Sequence, residues 1–145
     1  MKKLLFAVLL TVSLATSAFA DHTNANVVVR NNFKTEFGNA ANVNWSSSGE
    51  FAKATFTVNN VKMEAFYNTQ GELVGTAKGI NLDELPVKAK RTFAKKFSGY
   101  TVTEAIHFEG ADDSAYFFSA ENEKESIIFK VGANEQLSTY KQTKK

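Results

Sequence analysis

The chain has 145 residues, with 17 Lys and Arg against 15 Asp and Glu, two His, one Pro and no Cys. That length suits one domain with one sizeable core. The lack of cysteine excludes a disulfide scaffold and a thiolate metal centre. A net charge of +2 is small for a protein that tracks nucleic-acid phosphates.

Lys2 and Lys3 precede an apolar run over residues 4–15, and Ala18-Phe19-Ala20 supplies the small-x-small pattern of a signal-peptidase site. The run is shorter than the roughly 20 residues a membrane span needs. This order predicts a secretory signal peptide over residues 1–20, cut after Ala20. Residues 21–145 then form a single domain, periplasmic or secreted, with no membrane anchor after cleavage. Both signal lysines leave with the peptide, so the mature chain carries fifteen basic and fifteen acidic residues. No nucleic-acid partner is expected. The basic stretch Lys88, Lys90, Arg91, Lys95 and Lys96 reads as the solvated face of a helix.

Past the signal, Val29, Phe33 and Phe37 recur every four residues, which predicts a helix over residues 24–38, capped by Asn24 or Asn26 and stopped at Gly38. Strand alternation then takes over near Val43 and Trp45. It resumes over residues 51–58, where Ala52, Ala54, Phe56 and Val58 fall on one side and Phe51, Lys53, Thr55 and Thr57 on the other. Asn59-Asn60 suits a tight turn into a return strand over residues 61–67. Another strand follows at residues 73–77. Pro86 opens a second helix, with Val87, Ala89, Phe93, Ala94 and Phe97 apolar and Gly99 as its stop. Strands are predicted at residues 100–108, 115–121, 125–131 and 135–140, with residues 141–145 as a frayed tail. On residues 100–108, Tyr100, Val102, Ile106 and Phe108 are read as one side and His107 as the other.

Helix, four strands, helix, four strands is an order that repeats. Phe33 and Phe37 before Gly38 match Phe93 and Phe97 before Gly99, Phe56 matches Phe118 and Tyr67 matches Phe129, all at offsets of about 60. The expected fold class is α+β: a tandem repeat of a helix plus about four antiparallel strands, with units near residues 24–80 and 81–140. The helices are expected on one face of an antiparallel sheet. The pattern Phe33-x-x-x-Phe37, Val43-x-Trp45, the hairpin over residues 51–67, Gly71-Glu72-Leu73 with Thr76, and Leu85-Pro86 resembles the PepSY-like, beta-lactamase-inhibitor-like proteins exported by Bacteroidetes-type bacteria. The resemblance spans about residues 27–140. It implies a helix-on-antiparallel-sheet scaffold, no enzymatic activity, and inhibition or binding of another protein.

The residues themselves give little catalytic chemistry. His22 and His107 have no HExxH-type spacing to support zinc, and no Gly-x-Ser-x-Gly elbow is present. Glu109, Asp112, Asp113, Glu121, Glu123 and Glu125 lack the alternation of a calcium loop and read as a solvated acidic rim. No cofactor, metal or catalytic residue is assigned. The aromatic surplus is more informative. If the alternation holds, Phe51, Lys53, Glu64, Phe66, His107, Phe117, Ile128 and Tyr140 share the sheet face without helices. Apolar anchors among charges are the makeup of a protein-binding surface. The expected function is therefore a non-enzymatic binding or inhibitor-like module for a protein or peptide of the cell envelope. A periplasmic hydrolase and a small-ligand carrier are the alternatives.

Overall fold

A computed structural model describes residues 25–145. The expected signal peptide, its cut after Ala20 and His22 lie outside the described residues. Helix α1 (Val27–Glu36) begins at Asn26, whose side-chain oxygen accepts from the Val28 N–H at 3.2 Å, and ends where the Phe37 N–H donates to the Phe33 carbonyl. Strands β1 (Ala41–Ser48), β2 (Phe51–Val58), β3 (Val61–Tyr67) and β4 (Leu73–Gly79) follow. The β2–β3 turn places Asn59 and Asn60 at φ of 51° and 66°. Two consecutive left-handed residues make the tight hairpin turn whose twist matches its strands, and Asn tolerates both positions.

A short 3-10 turn (Leu82–Glu84) and Pro86 lead into α2 (Val87–Lys96). The chain finishes with β5 (Thr101–Gly110), β6 (Ser114–Glu121), β7 (Glu125–Val131) and β8 (Leu137–Lys144). Residues 141–144 thus belong to a paired strand rather than a frayed tail. The last residue is also tied, its N–H donating to the Lys124 carbonyl at 3.0 Å.

All eight strands form one antiparallel sheet in chain order. This overturns the expected α+β tandem repeat. Residues Gly75–Gly79 of β4 pair with Ile106–Gly110 of β5, so hydrogen bonding runs without a break from β1 to β8. The described chain is a strand-dominated, eight-stranded meander carrying two short helices. The physical reason lies in the strand edges: separate four-stranded units would leave β4 and β5 with unpaired backbone groups, and their pairing removes both edges at once. The matches at offsets of about 60 reflect similar helix stops and alternations, and they carry no information about which strands pair.

Opposed residues on paired strands project to the same side. Phe56, Met63, Lys78, His107, Tyr116 and Val131 form such a row across β2 to β7. Phe56 packs with α1 and Val131 belongs to the cluster under α2, so both helices cover one face. Under α1, Val29 and Phe33 meet Ala54, Phe56, Ala65 and Tyr67, with Trp45 and Phe37 at the margin. Phe33 stands edge-on to Phe56 at 4.9 Å and to Trp45 at 5.2 Å. Under α2, Ala89 and Phe93 meet Phe118, Ala120, Ile127 and Phe129, with Phe93 edge-on to Phe118 at 5.2 Å. Each such ring contributes about 1.5–3 kcal/mol by burial and about 0.5–1.5 kcal/mol more from the edge-to-face contact. Among the described residues, the opposite face of the sheet is shaped by side chains without a covering helix.

Candidate protein-binding face

The face without helices carries a third apolar cluster: Phe66, Ala77, Ile106, Phe108, Ala115 and Phe117, with Val74, Ile128 and Tyr140 packed against it. Small residues make it possible. A Cβ added at Gly75 would lie 2.7 Å from the Phe108 ring, so that ring lies directly on the β4 backbone. Phe66 and Phe108 meet at 6.3 Å, and Phe117 and Tyr140 meet edge-on at 5.2 Å. Burial raises the Tyr140 hydroxyl above its ordinary pKa.

Charges border the cluster. Lys53 and Glu64 form an ion pair at 3.2 Å, with side chains only 17% and 15% exposed. Lys130 stands 5.8 Å above the Phe117 ring and 3.5 Å from the Asp113 carboxylate. Partial burial strengthens the Lys53–Glu64 attraction, and each charge would be costly without the other.

Seven of the eight residues read from the sequence lie on this face, and they differ in access. Phe66 and Phe117 are buried, while Phe51, Lys53, Glu64, Ile128 and Tyr140 are half-buried. Buried rings shape a surface from beneath; the half-buried group is what a partner can touch. Ile106, Phe108 and Lys130 were missed.

His107 is the exception, since it points to the helix-covered side. Its ring stacks on Tyr116 at 4.4 Å and 20°. The cause is a β-bulge in β5: Val102 opposes Ala120 and Ala105 opposes Phe118, both partners lying in the α2 cluster, although three positions separate Val102 from Ala105. One extra residue reverses the alternation. It sends Ile106 and Phe108 to the helix-free face and His107 to the other.

On that other side His107 Nε2 lies 2.9 Å from Ser114 Oγ, and Nδ1 lies 3.5 Å from a Glu109 carboxylate oxygen. The order serine, histidine, carboxylate is that of an acyl-transfer triad. The geometry is loose, however, because a charge-assisted hydrogen bond closes to about 2.7–2.9 Å. Ser114 and Glu109 are also exposed on the end of a hairpin. The acidic loop divides between the two sides, Glu109 toward His107 and Asp113 toward Lys130. Among the described residues no group of three or more His, Cys, Asp or Glu is placed to hold a metal ion.

This architecture has solved counterparts. A DUF2874 family protein from Bacteroides uniformis superposes with a TM-score of 0.72 at 18% identity, covering 83% of this chain and 89% of that one. A BLIP-like protein from Bacteroides fragilis superposes at 0.65 with 14% identity, covering 82% and 85%. The chain has a BLIP-like fold. A protein from Bacteroides eggerthii, described by a proposed periplasmic location, shares this BLIP-like fold at a TM-score of 0.73 and 18% identity, covering 83% and 88%. The names of these structures carry the BLIP-like half of the resemblance seen in the sequence and not the PepSY half. No family profile matches the chain, and no curated protein sequence matches it.

Proposed function

We propose that the protein is an exported, non-enzymatic binding module of the periplasm, inhibitor-like in its mode of action, that takes a protein or peptide on the helix-free face of its sheet. One observation carries this reading: the apolar cluster on that face, rimmed by half-buried Phe51, Ile128 and Tyr140 and by the Lys53–Glu64 pair. An apolar centre with charged margins is how partner surfaces are built. The BLIP-like fold of a neighbour and the proposed periplasmic location of another support it, as does the signal-peptide pattern of residues 1–20. The small-ligand alternative places its ligand between helices and sheet, where Phe33, Phe56, Phe93 and Phe118 already pack ring to ring.

The test is site-specific photo-crosslinking in living cells from position 128 or 140, with exposed position 35 on α1 as the control. The expected result is a discrete adduct from the sheet positions only. The partner is then purified and titrated against Ile128→Glu and Tyr140→Glu. Unchanged affinity in both folded variants would remove the proposed face.

A further inference from the structure

Helices α1 and α2 sit on the same face, yet their outer surfaces differ in charge. α1 carries Arg30, Lys34 and Glu36, the last accepting a hydrogen bond from the Tyr67 hydroxyl at 2.6 Å. α2, with the sequence VKAKRTFAKK, carries five basic residues and no acidic one. Ala89, Phe93 and Phe97 face the core, so Lys88, Arg91, Lys95 and Lys96 are left exposed. Lys88, Arg91 and Lys95 follow at three- and four-residue spacing, a line along about 10 Å of helix.

These charges work against the helix that bears them. Lys88 sits at the second helical position, near the positive end of the helix dipole. Lys88 with Arg91, and Arg91 with Lys95, are like-charged neighbours, each destabilising by a few tenths of a kcal/mol. Lys90 is occupied, its ammonium donating to the Asp83 carbonyl at 3.0 Å. Among the described residues no ion pair includes Lys88, Arg91, Lys95 or Lys96. Lys95 and Lys96 suit the helix C-terminus; Lys88 and Arg91 make no ion pair among the described residues.

Val87, 57% exposed, adjoins Lys88 and Arg91 on the helix, and Leu82, 44% exposed, lies on the turn before it with Asp83 and Glu84. Basic side chains with adjoining exposed aliphatic ones match the interface of an anionic bilayer, where headgroups take the charge and the acyl boundary takes the apolar groups. Nucleic acid fits less well, because the aromatic rings of α2 that bases could stack on are turned to the core. We infer that the outer face of α2, with Val87 and Leu82, is a peripheral docking surface for a membrane rich in anionic phospholipid. It lies on the side opposite the proposed partner-binding face, so both can be occupied together.

The experiment is vesicle flotation of protein recovered after export, so that the N-terminal apolar segment is absent. Phosphatidylcholine vesicles with and without phosphatidylglycerol are compared at low and high salt. The expected result is flotation with phosphatidylglycerol vesicles only, lost at high salt. In Lys88→Glu/Arg91→Glu/Lys95→Glu binding falls roughly tenfold or more, with circular dichroism and thermal unfolding confirming a folded variant. Leu82→Ser/Val87→Ser lowers binding a few-fold at equal charge. Equal flotation of the charge variant overturns the inference. So does wild type that ignores phosphatidylglycerol yet binds heparin, since the patch then serves another polyanion.

Discussion

The two faces of the sheet use the same kinds of residue to different ends. On the helix-covered face, rings from helix and strand interlock across two layers, as Phe33 does with Phe56 and Phe93 with Phe118. On the helix-free face no second layer of backbone covers the sheet among the described residues; the Phe108 ring lies against Gly75 and meets Phe66, while Phe117 meets Tyr140. The first arrangement is a core that holds the fold. The second is a shaped surface, stabilised by its own side chains and bordered by half-buried charge. An aromatic residue on a strand is therefore ambiguous until its side of the sheet is known.

The largest effect separating the two faces is expected from ring deletion. Phe118→Ala removes a ring packed between Phe93 and Phe129 and should cost about 3–5 kcal/mol, read from urea unfolding. Phe66→Ala removes an equally buried ring, but one with no helix packed on it among the described residues, and should cost less; equal losses would make the helix-free face a second core. Next, Gly75→Val drives a side chain into the Phe108 ring and should cost about 2 kcal/mol. Much of that cost should return in the double variant with Phe108→Leu, whereas additive losses would deny that the ring lies over Gly75. Third, Ile128→Glu/Tyr140→Glu should leave unfolding free energy within about 1 kcal/mol while weakening partner binding at least tenfold. Calorimetry against the crosslinked partner, once purified, gives that number.

The smallest effect is alkaline. Burial, then the hydrogen bond to Glu36, raises the Tyr67 pKa far above its ordinary 10.0. The unfolded chain therefore releases this proton first, and the stability it contributes is complete below about pH 10 and is lost as pH rises beyond it. Tyr67→Phe should cost about 1 kcal/mol at neutral pH and flatten the alkaline fall in thermal midpoint. An unchanged slope would show that Tyr67 does not govern it.

Most of the local structure was legible. Alternation with turn chemistry gave β2, β3 and β7 at their observed limits, and Asn59-Asn60 announced its own hairpin. The candidate face was legible in part. Phe51, Lys53, Glu64, Phe66, Phe117, Ile128 and Tyr140 lie on the side that alternation assigns them, and Tyr140 does so across a bulge in the β7–β8 pairing. His107, Ile106 and Phe108 went to the wrong sides, because the bulge between Val102 and Glu104 resets the phase and no Gly or Pro marks it.

Some properties are written in the sequence alone: the export pattern at the N-terminus, the periodicities that place helices and strands, and a basic α2 with no acidic residue of its own. These depend on residues close together along the chain, where spacing and turn preference act directly. The tertiary structure alone decided that β4 joins β5 into a single sheet, that Phe66 and Phe117 are buried beneath a half-buried rim, and that His107 faces away from them. Each of these depends on pairing between distant segments, where backbone hydrogen bonds seek partners regardless of side chain and one extra residue inverts a strand.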